Sequence, residues 1–324
     1  MRQPNRHKFR TFVYFRVTRV LIPALACAVV ATAHPAGSVL TDGPEAALHA
    51  VPADPARHGF SGVDGDASIR RPTWYFAQWG IPLDLPVGVR TPPGEDWRVE
   101  NAYAHVVWQS SARAYELAQD GADAALACGV EEDLFLAPTT PGDYPGHAAV
   151  LETSSPLSRL AELVASLGLE IVDERIEARC TTAPNYAAYT LGMILTDADA
   201  APEPQTLFYQ LMFRDSRGAR IARRWCTGYE DADTPVFCID DGLANVYGLP
   251  GPVVGGGRRT YAFDLLPALL AVIATHHAKR GASNRVLDDD PSHWRVTGLY
   301  LGQLLMGGAA PTSRWDSFSL RERR

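Results

Sequence analysis

Residues 186–214 read YAAYTLGMILTDADAAPEPQTLFYQLMFR and hold the two clearest strand patterns in the chain. The segments 186–196 and 206–214 are rich in aromatic, aliphatic and β-branched residues, which favour strands. Residues 197–204 between them are acidic and contain proline, a composition typical of a turn. The sequence therefore predicts an antiparallel hairpin here and a mainly β fold around it.

Strand patterns recur on both sides of this hairpin. Short apolar runs that end at glycine or proline indicate strands, and so do stretches in which apolar and polar residues alternate. The alternation from Trp97 to Trp108 is the most regular of these stretches. By these criteria further strands are predicted at residues 73–79, 97–108, 133–136, 169–180, 294–306 and 314–320.

Two segments show helical spacing instead. In residues 155–167 leucines recur at steps of three and four, Ser155 can cap the start, and Gly168 can end the helix. Residues 263–278 carry a similar leucine-rich face. Because helices do not alternate regularly with strands, a parallel sheet is disfavoured. We therefore predict a mainly β protein, an antiparallel β-sandwich or jelly roll with two helical insertions.

The start of the chain has the composition of a secretory signal. Residues 1–19 are rich in basic residues, residues 20–31 are apolar, and residues 31–33 form a small-x-small cleavage site. The alternative is a transmembrane anchor, but the apolar run is shorter than the roughly 20 residues that a span needs. We predict a secreted or periplasmic protein without a membrane span after signal cleavage. Its parts are a signal peptide (1–33), a flexible leader or linker (34–70) and a single β-sandwich domain (71–324).

Four cysteines follow the signal segment, namely Cys128, Cys180, Cys226 and Cys238. An even number of cysteines in an exported protein predicts disulfides, and sequence alone leaves several connectivities open. Cys226 and Cys238 flank a turn-rich stretch and are expected to pair, which leaves Cys128 for Cys180. Metal ligation is the alternative, but no C-x-x-C spacing is present, so a zinc site is disfavoured.

Charge narrows the class of partner. The formal net charge is −7, and residues 1–33 hold basic but no acidic residues, so the remaining chain is more acidic than the whole. An acidic surface repels phosphate backbones, so we expect no nucleic-acid partner. The same surface is a poor match for polyanionic glycans.

The C-terminal segment carries a family resemblance. Residues 293–308 read HWRVTGLYLGQLLMGG, and residues 314–320 read RWDSFSL. Together they resemble the closing hairpin of concanavalin A-like jelly-roll modules, in particular the last strands of jelly-roll endoglucanases, where a G-x-E step presents a general-acid carboxylate. The matching step here is Gly302-Gln303. Glutamine can hydrogen-bond a sugar hydroxyl but has no proton to give a glycosidic oxygen. The resemblance therefore implies a glycan-binding or glycanase module that lacks this acid.

Carbohydrate binding needs aromatic rings beside amide groups, because sugars offer C–H faces to rings and hydroxyls to donors and acceptors. Several strand patterns offer this mixture, and Tyr186 lies in the same pattern as Tyr189. The alternative is that these rings belong to the core of the sandwich. The predicted ligand-binding residues are Trp74, Gln78, Trp79, Tyr189, Tyr209, Gln210, Tyr300 and Gln303.

These patterns leave three functions open, and whether the protein is an enzyme is undecided. The first is an exported, glycan-associated jelly-roll protein that binds polysaccharide without a clear catalytic pair. The second is a polysaccharide-degrading glycoside hydrolase or lyase that uses carboxylates in a sheet groove, about 5–10 Å apart for hydrolysis. The third is a structural or interaction protein of the cell envelope. The strand acids considered for the second function are Glu100, Glu116, Glu170, Asp173, Glu174 and Glu177, which otherwise read as solvated charges.

No cofactor or metal site is predicted from motifs. The sequence lacks the G-x-S-x-G, P-loop, H-E-x-x-H and G-x-G-x-x-G signatures. His276 and His277 are adjacent on a predicted helix and point in different directions, so they cannot share one ion. A structural calcium ion could be held by the acidic turns at Asp231 and Asp233 or at residues 288–290, which otherwise read as solvated turns.

Overall fold

The structure is a computed structural model that describes most of the chain beyond residue 37. The predicted signal peptide lies outside the described residues and stays a prediction. The described ranges are 38–42, 48–50, 53–54, 59–60, 73–79, 85, 95–139, 154–197, 199, 204–218, 221–226, 236–275 and 286–324.

Strands make up most of the described residues, as the alternation in the sequence predicts. Two α-helices accompany them, α1 (Leu243–Tyr247) and α2 (Leu266–Thr275). The strands, in chain order, are β1 (Ser38–Asp42), β2 (Leu48–Ala50), β3 (Ala53–Asp54), β4 (Gly59–Phe60), β5 (Thr73–Trp79), β6 (Trp97–Glu100), β7 (Ala104–Gln109), β8 (Ala114–Gln119), β9 (Glu131–Thr139), β10 (Glu162–Ile176), β11 (Tyr186–Asp197), β12 (Gln205–Asp215), β13 (Arg224–Trp225), β14 (Val236–Gly242), β15 (Arg259–Asp264), β16 (Trp294–Met306) and β17 (Ala309–Arg323).

These strands form two large sheets and one small pair, β3 with β4. The seven-stranded sheet has the order β15-β10-β17-β8-β7-β6, with β1 also paired to β17. The eight-stranded sheet has the order β13-β14-β12-β11-β16-β9-β5-β2. Neighbours are antiparallel except for β12 with β14 and β2 with β5, which are parallel. The prediction of an antiparallel β-sandwich or jelly roll is therefore confirmed.

The core lies between the two large sheets. Alternate residues of β10 and β17 face alternate residues of β11 and β16, as expected for packed sheets. Trp294 from the eight-stranded sheet and Trp315 from the seven-stranded sheet are among the largest fully buried side chains. One continuous apolar cluster includes residues of both sheets, for example Leu117, Leu169 and Leu191. Burial on this scale is the main source of stability for such a fold.

One of the two predicted helices is wrong. Residues 157–159 form a single 3₁₀ turn, and the chain then enters β10, a strand of 15 residues. The leucines that suggested a helix alternate instead, so that Leu163 and Leu167 are buried beside Ala165. Pairing with β15 on one side and β17 on the other holds this segment extended. The second predicted helix is confirmed as α2, whereas α1 was not predicted.

The alternating stretch 97–108 is also divided differently from the prediction. It forms two strands, β6 and β7, joined by a turn at Asn101. The Asn101 carboxamide oxygen accepts hydrogen bonds from the backbone N–H groups of Tyr103 and Ala104, both at 2.8 Å. Asparagine favours such turns because its side chain replaces a backbone partner.

Both predicted disulfides are confirmed. Cys128 pairs with Cys180, and Cys226 pairs with Cys238, with Cα–Cα distances of 5.5 and 5.2 Å. The first joins the turn before β9 to the segment before β11, and the second joins the end of β13 to β14. Neither helix in the described part of the chain has the length and apolarity to cross a bilayer.

Part of the segment 34–70, predicted to be a flexible leader or linker, lies within the described residues. Its described residues include β1, which pairs with β17, and β2, which pairs with β5. These short strands extend the two large sheets. The remaining residues of the segment lie outside the described ranges.

Candidate active site

The eight-stranded sheet has one face toward the core and one face turned away from it. On β11, Tyr189 and Leu191 belong to the core, whereas Tyr186 and Ala188 belong to a separate small apolar cluster. Met212 and Leu304 complete that cluster. We call the side of the eight-stranded sheet that carries this cluster the outer face.

Two carboxylic acids of β9 share the outer face. Leu134 and Leu136 belong to the core, so the alternating residues of β9 point the other way. The register agrees, because Asp133 is opposite Leu304 on β16, a member of the outer-face cluster. Glu131 precedes Asp133 by two residues, so their Cα atoms lie about 6.8 Å apart on the same face.

Asp133 is a carboxyl group in an unfavourable place for a charge. Its Oδ1 atom is buried and accepts no hydrogen bond within the described residues. Burial raises the pKa of Asp133 well above its ordinary value, and the negative charges of Glu131 and Glu132 raise it further. A carboxyl group in this state holds its proton to higher pH than an exposed aspartate does, as a general acid must.

Glu131 is exposed and is held by a phenol from β11, which lies on the far side of β16. Met306 on β16 lies in register between Glu131 and Tyr186, and the Tyr186 hydroxyl donates a hydrogen bond to Glu131 Oε2. Burial, the Glu131 charge and this hydrogen bond raise the pKa of Tyr186, while Arg217 opposes them. The phenol therefore stays protonated and acts as a donor.

A guanidinium covers the other side of that phenol. The Arg217 Cζ atom lies 3.6 Å from the centroid of the Tyr186 ring. Arg217 Nε donates to both carboxylate oxygens of Asp215, at 2.9 and 3.0 Å. Burial lowers the pKa of Arg217, but the hydrogen bond and charge of Asp215 more than offset this effect. Glu131, Asp133, Tyr186, Asp215 and Arg217 form the candidate active site.

A second polar group lies farther along the outer face, at β13 and β14. Asp240 is 5% exposed and accepts a hydrogen bond from Arg224 Nε at 3.0 Å. Burial raises the pKa of Asp240, and Arg224 opposes this shift. The Cys226 sulfur lies 3.1 Å from Asp240 Oδ1. Cys226 is bonded to Cys238, so this group offers no thiolate to a metal.

Three of the predicted ligand-binding residues lie in the interior. Tyr189, Tyr209 and Gln303 are each 0% exposed. The Gln303 amide donates to Gln119 Oε1 at 3.3 Å and accepts from the Ser313 hydroxyl at 2.7 Å, so it links the two sheets. Side chains in these positions stabilise the sandwich and present no surface to a dissolved ligand.

Two other predicted ligand-binding residues lie on the outer face. The Tyr300 ring lies 4.6 Å from the Phe135 ring and rests over Gly192, where any side chain would overlap it. Tyr300 is 9% exposed, and the Gln210 amide points at the second disulfide, 3.4 Å from the Cys238 sulfur.

The remaining three predicted ligand-binding residues, Trp74, Gln78 and Trp79, lie on β5. This strand pairs with β9, and Trp79 is the register partner of Asp133. The side chains of these three residues lie outside the described part of the structure, so their role stays a prediction. Their strand is nevertheless the immediate neighbour of the two β9 acids.

The acids considered from sequence lie away from this site, on or next to the seven-stranded sheet. Glu116 and Glu170 both pair with Arg314, and Glu174 pairs with Arg214. Glu100 pairs with Arg98, and Glu177 pairs with Arg175. Asp173 is exposed. Arginine partners compensate five of these six charges.

The predicted calcium positions are described only in part. Asp231 and Asp233 lie outside the described residues. Asp288 accepts from His293 Nδ1 at 2.8 Å, and ligand atoms of Asp197, Asp288 and His293 lie within 4.8 Å of one another. Calcium binding stays a prediction, because hydrogen bonds among these groups already account for their arrangement.

Sequence reasoning missed Glu131, Asp133 and Arg217. The apolar run 134–136 indicates the strand, but the sequence analysis did not extend the alternation to the three acids that precede it. Counting outward from Leu134 in steps of two separates Asp133 and Glu131 from the core residues. No comparable signal marks Arg217, which depends on the turn that follows β12.

No protein-family model and no curated protein sequence matches this chain. Among solved structures, endoglucanase cel12A from Rhodothermus marinus is 10% identical, with a TM-score of 0.39 over 71% of this chain and 92% of that one. The xyloglucanase domain of NopAA from Sinorhizobium fredii, solved with cellobiose, is 8% identical, with a TM-score of 0.37 over 76% and 96%. The family 12 xyloglucanase from Bacillus licheniformis is 8% identical, with a TM-score of 0.34 over 71% and 98%. Likeness at this level does not establish a shared function.

Proposed function

We propose that this chain is a glycoside hydrolase that acts on an uncharged polysaccharide, with Asp133 as general acid and Glu131 as the second carboxylate. One observation carries the proposal. Two carboxyl groups share one face of one strand in different surroundings. Asp133 is half-buried, with a buried Oδ1 atom that has no donor, while Glu131 is exposed and held by Tyr186.

Glycoside hydrolysis needs this kind of difference. One carboxyl group must bring a proton to the leaving oxygen, and the other must act as a base or nucleophile. Environments that push the proton affinities of two acids apart create the two roles. The Cα spacing of about 6.8 Å is comparable to the separations of about 5–9.5 Å found between such carboxyl groups.

Hydrolysis fits the site better than β-elimination by a lyase. A lyase would use Tyr186 as a base and Arg217 to neutralise a uronate. The raised pKa of Tyr186, caused by burial and by the Glu131 charge, makes its phenolate costly. Arg217 is already bound by both oxygens of Asp215, and Glu131 and Asp133 would repel a uronate.

Binding without cleavage is the competing function. It is supported by Gln210 and Tyr300, which share the outer face with the acids. It gives no reason for β9 to hold a buried carboxyl oxygen, Asp133 Oδ1, without a donor, which is a costly arrangement. For this reason we place hydrolysis first.

Export is part of the proposal. The two disulfides suit an oxidising compartment, where a signal peptide over residues 1–33 would direct the protein. N-terminal sequencing of the mature protein tests this point, and cleavage near Ala33 is the expected result.

The test is release of reducing ends from a polysaccharide panel by the purified chain. The names of the structural neighbours select β-1,4-glucan and xyloglucan as first substrates, joined by xylan, mannan and a polyuronate. We expect turnover on a neutral polymer and none on the polyuronate. Asp133→Asn and Glu131→Gln should each lower kcat by about 10²–10⁴-fold.

Glu100→Gln is the matched control, because Glu100 is an exposed strand acid of the seven-stranded sheet that pairs with Arg98. It should retain full activity. An Asp133→Asn variant as active as the native chain, or cleavage of no polymer in the panel, would count against the proposal. If the native chain bound a polysaccharide of the panel without cleaving it, the result would support the competing function.

A further inference from the structure

A turn after β12 is built around Asp215 and fixed to β11. The Ser216 N–H donates to the Ala187 carbonyl at 2.9 Å, and the Ala187 N–H donates to the Ser216 hydroxyl at 3.0 Å. The Arg217 N–H donates to Asp215 Oδ1 at 2.8 Å, and the Gly218 N–H donates to the Asp215 carbonyl at 3.1 Å. The turn is thus tied to the residue next to Tyr186.

This turn leaves Arg217 little freedom. Its backbone N–H and its Nε atom both bind the Asp215 side chain, which belongs to a residue 6% exposed. Its guanidinium then lies over the Tyr186 ring at 3.6 Å, where a cation is attracted to the ring face. A side chain anchored at two points and stacked at a third restricts the ring beneath it.

Arg217 interacts with Glu131 through its charge and makes no ion pair with it in the described part of the structure. Within the described residues its hydrogen-bond partner is Asp215, and Glu131 nevertheless contributes to the field that keeps Arg217 charged. The charged and titratable groups that surround Glu131 from the packed strands and the turn are Glu132, Asp133, Tyr186, Asp215, Arg217, Arg224 and Asp240.

We propose that Arg217 is a positioning residue of this site. It lies over the Tyr186 ring and holds the phenol in place for its hydrogen bond to Glu131, and it does so without touching substrate. The catalytic meaning of this inference rests on the proposed hydrolase function, whereas the positioning of the phenol does not.

The experiment compares Arg217→Gln and Arg217→Lys with the native full-length chain. Arg217→Gln should lower kcat by about 10–100-fold, as expected for loss of orientation, with KM changed less than about twofold. The acidic limb of its pH–kcat profile should move to higher pH. Arg217→Lys keeps the charge without the planar stack and should recover part of kcat and most of the pH profile.

A second readout does not need activity. The ¹³Cζ resonance of Tyr186, assigned with Tyr186→Phe, reports the hydrogen bond of the phenol. In Arg217→Gln it should move toward its position in Glu131→Gln. Arg323→Gln is the matched control, because Arg323 also binds one carboxylate through two nitrogens and its side chain is 30% exposed, against 32% for Arg217. It should leave kcat, the pH profile and the resonance unchanged.

The outcomes separate the two proposals. Cleavage by the native chain with an unchanged pH profile and resonance in Arg217→Gln would overturn the positioning role alone. A shifted resonance in a chain that cleaves no glycan would uphold the positioning of the phenol and reject the hydrolase function. An Arg217→Gln effect equal to that of Arg323→Gln would show a general structural cost and also overturn the inference.

Discussion

Three side-chain groups of this protein are built from the same residue types but are charge-balanced differently. Two of them lie at the interior edge of the sandwich, and the third lies on the outer face of the eight-stranded sheet. Each combines a buried tyrosine, a carboxylate and an arginine. At the interior, Arg214 binds Glu174 at 2.6 and 3.2 Å, and Arg223 binds Asp241 at 2.6 Å. The interior tyrosines are Tyr189 and Tyr209, and burial together with the adjacent carboxylate raises the pKa of each.

On the outer face the arginine binds a different acid. Arg217 pairs with Asp215 and only stacks on Tyr186, which leaves Glu131 with the phenol and Asp133 without a donor at Oδ1. The interior carboxylates are thus compensated directly, as stability requires. Glu131 and Asp133 on the outer face have no arginine bound directly to them among the described residues. Acidic groups that lower stability in this way are candidates for function.

The largest expected effect on stability comes from replacing Arg223. Asp241 is 0% exposed, so Arg223→Gln leaves a buried carboxylate with only the Gly242 N–H and the Asn245 amide as donors. We expect a loss of about 3–5 kcal/mol in the free energy of unfolding, measured by urea denaturation. Arg323→Gln, at a half-exposed pair, should cost much less, because solvent screens the charges of Arg323 and Glu162. Equal losses in the two variants would contradict the distinction between compensated interior and exposed pairs.

Replacing Asp133 should raise the free energy of unfolding, whereas replacing Arg223 should lower it. The folded pKa of Asp133 is raised by burial and by Glu131 and Glu132, so the unfolded chain releases this proton at lower pH than the folded chain does. Stability therefore falls as pH rises above the unfolded value of about 3.9. Asp133→Asn removes this dependence and should therefore be more stable than the native chain at pH 8.

The gain of Asp133→Asn should vanish near pH 3.5, where both states of the native chain are protonated. Urea denaturation at several pH values follows it. Asp241→Asn is the contrasting variant and should lose stability at pH 8, because Arg223 then lacks its carboxylate. If Asp133→Asn were instead destabilising at every pH, the assignment of Asp133 as an uncompensated acid would be wrong.

The strands and the disulfides of this protein show which features its sequence can predict. Alternation of apolar and polar residues is a local property of the chain. The strands at 186–196 and 206–214, and the β-sandwich as a fold class, could therefore be predicted from sequence. The leucines of residues 155–167 fit both a helical and an alternating period, and only pairing of β10 with β15 and β17 decides between them. The disulfides followed from cysteine spacing.

The site depends on contacts that sequence does not show. Glu131 and Tyr186 meet across β16, a strand more than one hundred residues further along the chain. Tyr189 and Tyr186 read alike in the sequence, yet a register of three residues puts them on opposite faces. The resemblance at Gly302-Gln303 directed attention to a glutamine that the structure places in the core, and away from the acids of the adjacent strand β9.

The smallest effect concerns an exposed pair. The hydrogen bond from His293 to Asp288 raises the pKa of His293, and the charges of Asp288 and Asp290 add to this. A raised folded pKa means that the contribution is fully present below the unfolded value of about 6.5 and is lost as pH rises through the folded value. We expect the melting temperature to fall slightly over that interval, and the fall to be absent in His293→Gln. A similar fall in both chains would contradict this assignment.

The protonation state of Asp133 tests the account most directly. Carboxyl ¹³C resonances of aspartate-labelled protein, followed from pH 3 to pH 8 and assigned with Asp133→Asn, report it for each aspartate. We expect the Asp133 carboxyl to titrate at clearly higher pH than the exposed aspartates, because burial and the charges of Glu131 and Glu132 raise its pKa. Titration of Asp133 near the ordinary aspartate value of about 3.9 would contradict the account, because no proton would then remain for a leaving oxygen.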